Sequence, residues 1–170
     1  MADQRFRAYS IAAAVFTLDR FTKWIVETRV SFTDTYKVIP GFFDIVRSEN
    51  RGVAFGVFND STSEWRTTLL VVLSLAAVVG IGFMLRKARD MDAASLWALS
   101  LILGGAAGNV FDRILRGRVT DFLELYVGDH HWPTFNVADS AIVIASGLLV
   151  VDLLRPKRKV APKRKVANVP

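Results

Sequence analysis

The sequence predicts an all-α integral membrane protein: four transmembrane helices, a small extracytoplasmic β-structured segment and a short interfacial helix. Two observations carry most of this. Positions 67–85 are 19 consecutive residues without a charge, and positions 93–111 are another 19. At about 1.5 Å per residue each makes a helix roughly 28 Å long, close to the hydrocarbon thickness of a bilayer. A chain of 170 residues has no core large enough to hide two such rods on every side. The third observation is that two more stretches of this length, 8–26 and 132–151, are apolar apart from a few charges. Asp19, Arg20 and Lys23 interrupt the first and Asp139 the second. An apolar run carrying a few ionisable groups is how a functional membrane helix reads. The average composition, 52% hydrophobic, does not by itself separate this chain from a soluble one; the distribution does.

Span one, 8–26, follows Arg5 and Arg7, a beginning that a secretory signal peptide shares. No small-x-small cleavage site follows it, and Asp19, Arg20 and Lys23 come instead, so a retained helix is expected. Residues 28–65 form the first outer loop. Thr35–Ile39 and Phe42–Val46 flank Pro40-Gly41, a dipeptide suited to the centre of a type II turn, and Val53–Phe58 extends the small sheet. Spans two and three are 67–85 and 93–111, with Gly104, Gly105 and Gly108 permitting close helix packing in the latter. In residues 122–131, Phe122, Leu125 and Tyr126 fall at i, i+3 and i+4, the spacing of a surface helix burying one face. Pro133 ends that helix and starts span four, 132–151. Trp24, Trp65 and Trp132 then fall at span ends on one side of the membrane and Trp97 near an end on the other.

Orientation follows from Lys and Arg. Segments 1–7, 86–92 and 155–170 are dense in basic residues, and 27–66 and 113–135 are sparse, so both termini are expected in the cytoplasm. The net charge of +6 is largely a tail effect. Residues 1–154 form one membrane domain. Residues 155–170 repeat Pro-Lys-Arg-Lys-Val-Ala from Pro156 and from Pro162, have no apolar face to bury, and are expected to be disordered at anionic lipid rather than on nucleic acid.

Ionisable groups at membrane depth are costly and direct attention to function. Asp19 and Lys23, at i and i+4, share a face as an internal ion pair. Asn109, Asp112 and Arg113 share a face where span three leaves the bilayer, and Asp112 with Arg113 has the plain reading of an interfacial ion pair. Asp139 has no basic residue within a helical turn and lies three residues after Asn136, on the same face. Asp121 lies just beyond span three. The short connection between spans three and four brings both carboxylates to one depth near the outer interface. Two close carboxylates share a proton, so one can deprotonate water while the other protonates a carbonyl oxygen or a leaving amine. The alternative is that Asp139 only caps a helix.

The absence of cysteine excludes disulfides, thiolate metal sites and Cys nucleophiles. His130-His131 beside Asp129 is a poor metal motif and reads as surface histidines. No metal or cofactor is expected.

Four blocks resemble a known family: Gly104–Arg113 continuing to Asp121-Phe122, Phe135–Ser140, Asn50–Gly56, and Asp19 with Thr22 and Lys23. In order and spacing they are similar to bacterial lipoprotein signal peptidases, or signal peptidase II, over about residues 8–154. The resemblance implies an aspartic protease of the bacterial inner membrane with an extracytoplasmic β-cradle at 28–65. It would cleave prolipoproteins before a diacylglyceryl-modified cysteine and be inhibited by globomycin-like cyclic peptides. It implies Asp121 and Asp139 as the catalytic dyad and Asn50, Gly52, Asn109, Arg113 and Asn136 as substrate- or inhibitor-binding residues. Asp19, Lys23 and Asp112 would support them. Arg20 stands where the family often has a neutral polar residue. Two rivals read the acidic residues differently, the first as a proton path and the second as helix caps alone. A proton conductor would need polar groups through the bilayer, and spans two and three offer only residues such as Ser74 and Ser100. A non-catalytic assembly factor would use the glycine-rich face for docking.

Overall fold

The structure, a computed structural model, describes residues 3–51 and 64–154. It is predominantly helical: α1 (Gln4–Arg29), β1 (Tyr36–Ile39), β2 (Phe43–Asn50), α2 (Glu64–Leu85), a 3₁₀ turn (Ala88–Asp90), α3 (Ala93–Arg116), β3 (Val119–Val127), β4 (His130–His131) and α4 (Val137–Leu154). Among the described residues three helices are long and apolar enough to cross a membrane: α2 over Thr68–Leu85, α3 and α4. The 26-residue α1 is longer still, about 39 Å, but carries the charges noted above.

Helix α3 packs against all three other helices. Its small residues explain how. A Cβ on Gly105 would stand 2.6 Å from the Ala138 carbonyl oxygen of α4, and one on Gly104 would stand 2.7 Å from Val15 Cβ of α1. The backbones therefore approach as closely as glycine allows. Asp92 caps the start of α3 through the Ser95 N–H at 2.9 Å. At its other end Gly117, in the left-handed region (φ 67°), returns its N–H to the Arg113 carbonyl.

Two apolar clusters mark the ends of the bundle. Ala8, Leu85, Ala88 and Leu96 pack at one end, and Val26, Val30 and Phe122 at the other. The start of α1 and the α2–α3 connection thus share an end, while the sheet and the start of α4 share the opposite one. The buried face of α1 reads Ala8, Ala12, Asp19, Lys23 and Val26, apolar toward the first end and charged toward the sheet.

The sheet is antiparallel in the order β1-β2-β3-β4. The Pro40-Gly41 turn forms as the sequence predicts: Gly41 has φ 82° and the Phe42 N–H reaches the Ile39 carbonyl at 3.0 Å. Strand β2 runs on to Asn50, pairing Ser48 with Asp121 and Asn50 with Val119. Arg47 donates to the Glu27 and Val30 carbonyls at 2.9 and 3.4 Å, placing a cation on the C-terminus of α1 and tying sheet to helix.

The expected surface helix over 122–131 is not there. This segment is strand β3, the Gly128-Asp129 turn and β4. The spacing of Phe122, Leu125 and Tyr126 suits one helical turn, but β2 offers a partner for Val119–Leu125, and pairing satisfies the backbone as well as burying Phe122. Span four correspondingly begins at Val137 and not at Trp132. The backbone before it is spent on β3: the Phe122 and Leu123 N–H groups reach the Phe135 carbonyl at 2.9 and 2.8 Å, and the Trp132 N–H reaches the Leu125 carbonyl at 2.8 Å. Pro133 also disfavours helical geometry at Trp132. The predicted strand at Val53–Phe58, Gly52 and the tail 155–170 lie outside the described residues.

Candidate active site

The end of the bundle under the sheet brings together polar side chains from five elements. Asp121 is on β3, four residues past the Gly117 cap, and is only 2% exposed. The Asn136 amide donates to its Oδ1 at 2.7 Å, and Asn50, at the end of β2, also hydrogen-bonds to it. Burial, and then the charge of Asp139, push the Asp121 carboxyl up to about 6, while the two asparagine donors and Lys23 oppose the rise.

Asp139 stands in the first turn of α4. Its Oδ2 accepts from the Asn136 N–H at 3.2 Å, and the Asp139 N–H donates to Asn136 Oδ1 at 2.9 Å. This reciprocal pair is a capping box at a helix start, where an anion is also favoured by the helix dipole. Asp139 therefore does cap α4, and only one of its oxygens is used in doing so. The other, Oδ1, accepts from Asn109 Nδ2 at 2.8 Å. Asn136 links the two acids, with its side chain on Asp121 and its backbone on Asp139. Arg113, one helical turn beyond Asn109, is close enough to Asp139, Asp121 and Asp112 to feel all three charges.

Behind these groups lies a buried charged cluster. Lys23 and Asp19 are fully buried and Asp112 is 1% exposed. Lys23 Nζ forms ion pairs with Asp19 Oδ2 at 2.9 Å and Asp112 Oδ2 at 2.8 Å, and donates to Asn109 Oδ1 at 2.9 Å. Asp19 Oδ1 accepts the Ala138 N–H at the start of α4 at 3.0 Å. Gly108 leaves the space that the Asp19 carboxylate fills.

Asp112 is the one site residue whose partner differs from the simple expectation. Its ion pairs are with Lys23 and Arg20 of α1, not with its neighbour Arg113. In a helix, adjacent side chains diverge by about 100°, so Asp112 faces α1 while Arg113 turns toward α4 and β3. Arg20, which also lies over the Phe111 ring at 4.9 Å, is thus part of the cluster. Sequence reasoning treats it only as an oddity; the signal is its spacing of three from Lys23. Two further members, Glu27 and Thr120, carry no signal at all. The Thr120 hydroxyl donates to Glu27 at 2.7 Å, and Arg116 pairs with the same carboxylate. His131, on β4, lies away from this cluster, stacked on Tyr126 and 3.1 Å from Glu124. Among the described residues no group of three His, Asp or Glu side chains is arranged to hold a metal ion.

Comparison with known proteins agrees with this architecture. A family model described as signal peptidase (SPase) II matches residues 11–155. A lipoprotein signal peptidase of Solibacter usitatus (strain Ellin6076) is 70% identical over 161 residues, covering 95% of this chain and 98% of its own. One of Maridesulfovibrio salexigens is 40% identical over 152 residues, covering 89% and 97%. Among solved structures, a bacterial membrane enzyme determined by the in meso method at 2.3 Å superposes with a TM-score of 0.77 at 28% identity, covering 91% of this chain and 94% of that one. With the family model matched over residues 11–155 and these relatives aligned over most of their own length, the chain belongs to the signal peptidase II family, the lipoprotein signal peptidases, and is a peptide hydrolase of the membrane.

Proposed function

We propose that the chain is an aspartic endopeptidase that removes signal peptides from prolipoproteins by cleaving before the diacylglyceryl-modified cysteine. The observation that carries this reading is the joining of Asp121 and Asp139 through Asn136 at the bundle end. Asp139, on a helix N-terminus, is the base; Asp121, buried and raised, holds the proton. Water attacks the scissile carbonyl as Asp139 takes its proton, and Asp121 gives its own proton to the carbonyl oxygen. The gem-diol intermediate collapses as Asp139 gives its proton to the nitrogen, the C–N bond breaks and the amine leaves, while Asp121 takes a proton back from a gem-diol hydroxyl, so each acid regains its starting form. Asn109 and Asn136 hold the two carboxyl groups, and Arg113 and Asn50 line the site. Gly52 belongs to the same set on sequence grounds.

The fourth span of this reading is α1. Within the span Asp19 and Lys23 are buried and Arg20 turns to Asp112, while Leu18, Phe21 and Trp24 are exposed, so the face it offers to lipid there is apolar. Four spans put both termini in the cytoplasm of the inner membrane and the dyad near the outer face. There a signal peptide can lie between helices with its lipid tails in the bilayer. Cyclic peptides of the globomycin type would occupy the same place.

The test is a cleavage assay with purified enzyme in detergent on a prolipoprotein with and without the diacylglyceryl group. Cleavage only of the modified form, lost in Asp121→Asn and Asp139→Asn, is expected. Turnover by either variant, with protein confirmed folded, would reject the dyad.

A further inference from the structure

We propose that Lys23 is a positioning residue for Asp139, acting through the amide of Asn109; this rests on the dyad reading above. Lysine carries donors and no acceptor, so the atom of Asn109 facing it must be the oxygen. That orientation turns Nδ2 toward Asp139, where it donates at 2.8 Å. With the amide reversed, Asn109 would present an acceptor to a carboxylate acceptor. Asn136 Nδ2 also reaches Asn109 Oδ1, at 3.2 Å, but its two hydrogens have Asp121 at 2.7 Å and the Thr120 carbonyl at 3.4 Å as further acceptors. It holds Asn109 more weakly than the ammonium does. Lys23 is itself fixed by Asp19 and Asp112, so the chain from α1 to the first turn of α4 is continuous: buried carboxylates, ammonium, amide, Asp139.

The consequence is a dependence of turnover on a residue that does not reach the substrate. The groups facing Asp139 are Arg113 and Asn109 from α3, Asp121 from β3, Asn136 at its own helix start, and Lys23 and Asp19 behind them from α1. Removing Lys23 frees the amide and deprives the charged form of the dyad of one oriented donor. The acidic limb of the pH profile, a property of the pair, should then move upward.

Lys23→Met alone leaves two buried carboxylates facing one arginine and is expected to accumulate poorly. The charge-balanced variant Asp19→Asn/Lys23→Met avoids this, because the new amide oxygen at position 19 can still accept the Ala138 N–H. Turnover of lipidated prolipoprotein by the full-length enzyme in detergent is measured against pH, with Asp19→Asn as the reference. The double variant should show its acidic limb about one unit above that of Asp19→Asn, a roughly tenfold loss of kcat on that limb, with KM changed less than about twofold. Lys23→Arg, which keeps the charge and the donors, should restore the limb of the parent enzyme. Asn109→Ala should carry the same shift, and adding Lys23→Met and Asp19→Asn to it should shift nothing further. Coincident limbs for Asp19→Asn and Asp19→Asn/Lys23→Met, or a further shift on top of Asn109→Ala, would overturn the proposal. Asp139→Asn in the same assay keeps the two ideas apart. Its inactivity beside an unshifted limb removes only the role of Lys23, whereas its activity removes the dyad itself.

Discussion

Replacing Asp121 by asparagine should change how stability depends on pH by an amount the structure allows to be worked out. A carboxyl normally near 3.8 that is pushed up to about 6 differs by roughly two units between unfolded and folded chain. At about 1.4 kcal/mol per unit that is about 3 kcal/mol. The sign follows from the raised value. The contribution of Asp121 is fully present below about 3.8, where both states are protonated, and is lost as pH rises through about 6, where the folded protein must carry a buried charge beside Asp139. The amide of the Asp121→Asn variant stays neutral throughout. It retains the acceptor for Asn136 but turns a donor toward Asn50 or Asn136, at a cost of about 1 kcal/mol that does not vary with pH. The variant should therefore be level with or slightly below the parent at pH 4 and ahead of it at pH 8, the gap changing by about 3 kcal/mol. For a chain of this size that is a relative shift in Tm of roughly 6–12 °C. Thermal unfolding of both proteins in the same detergent at the two pH values reads it. Parallel curves for parent and variant would show that Asp121 is not a buried acid facing a second charge.

In the cleavage assay Asp121→Asn and Asp139→Asn should each abolish turnover, and the double variant should be no worse than either single, because groups that act as a unit are not additive; graded, additive losses in kcat would contradict the shared-proton mechanism. Gly108→Ala would put a methyl group into the Asp19 carboxylate and should cost about 1–3 kcal/mol in unfolding experiments, whereas Gly80→Ala, with open space around it, should cost nothing measurable. Reporter fusions at residue 90 and at the C-terminus should read cytoplasmic and one near residue 60 extracytoplasmic; a periplasmic C-terminus would remove α1 or another helix from the membrane.

What is legible in the sequence and what is not divide along a physical line. Apolar runs of membrane length are a property of contiguous residues, so α2 and α3 can be read almost to the residue, with α3 running five residues past its apolar stretch to the Gly117 cap. The Pro40-Gly41 turn is likewise local. The segment 122–131 misleads because its pattern is satisfied equally by one helical turn or by a strand. The decision is taken by β2, more than seventy residues earlier in the chain, and by the Phe135 backbone. Asp112 shows the same limit. Its neighbour Arg113 is adjacent in sequence, yet its partners Lys23 and Arg20 come from a helix some ninety residues away.

For Asp139 the helix cap is observed, and it leaves room for the proposed role as half of a dyad. A carboxylate has two oxygens. In this fold one is committed to the capping box, which fixes the side chain against the first turn of α4 and gives the charged form a favourable end of the helix dipole. The other takes the Asn109 amide, and the same Asn136 that completes the box reaches over to Asp121. Capping thus does the positioning that the proposed chemistry requires. The two acids differ in environment for the same reason, one on a helix N-terminus and one on a buried strand with no dipole to favour its charge. A pair of identical residues is made unequal by the elements that carry them. In the proposed mechanism this inequality assigns the base to α4 and the proton to β3.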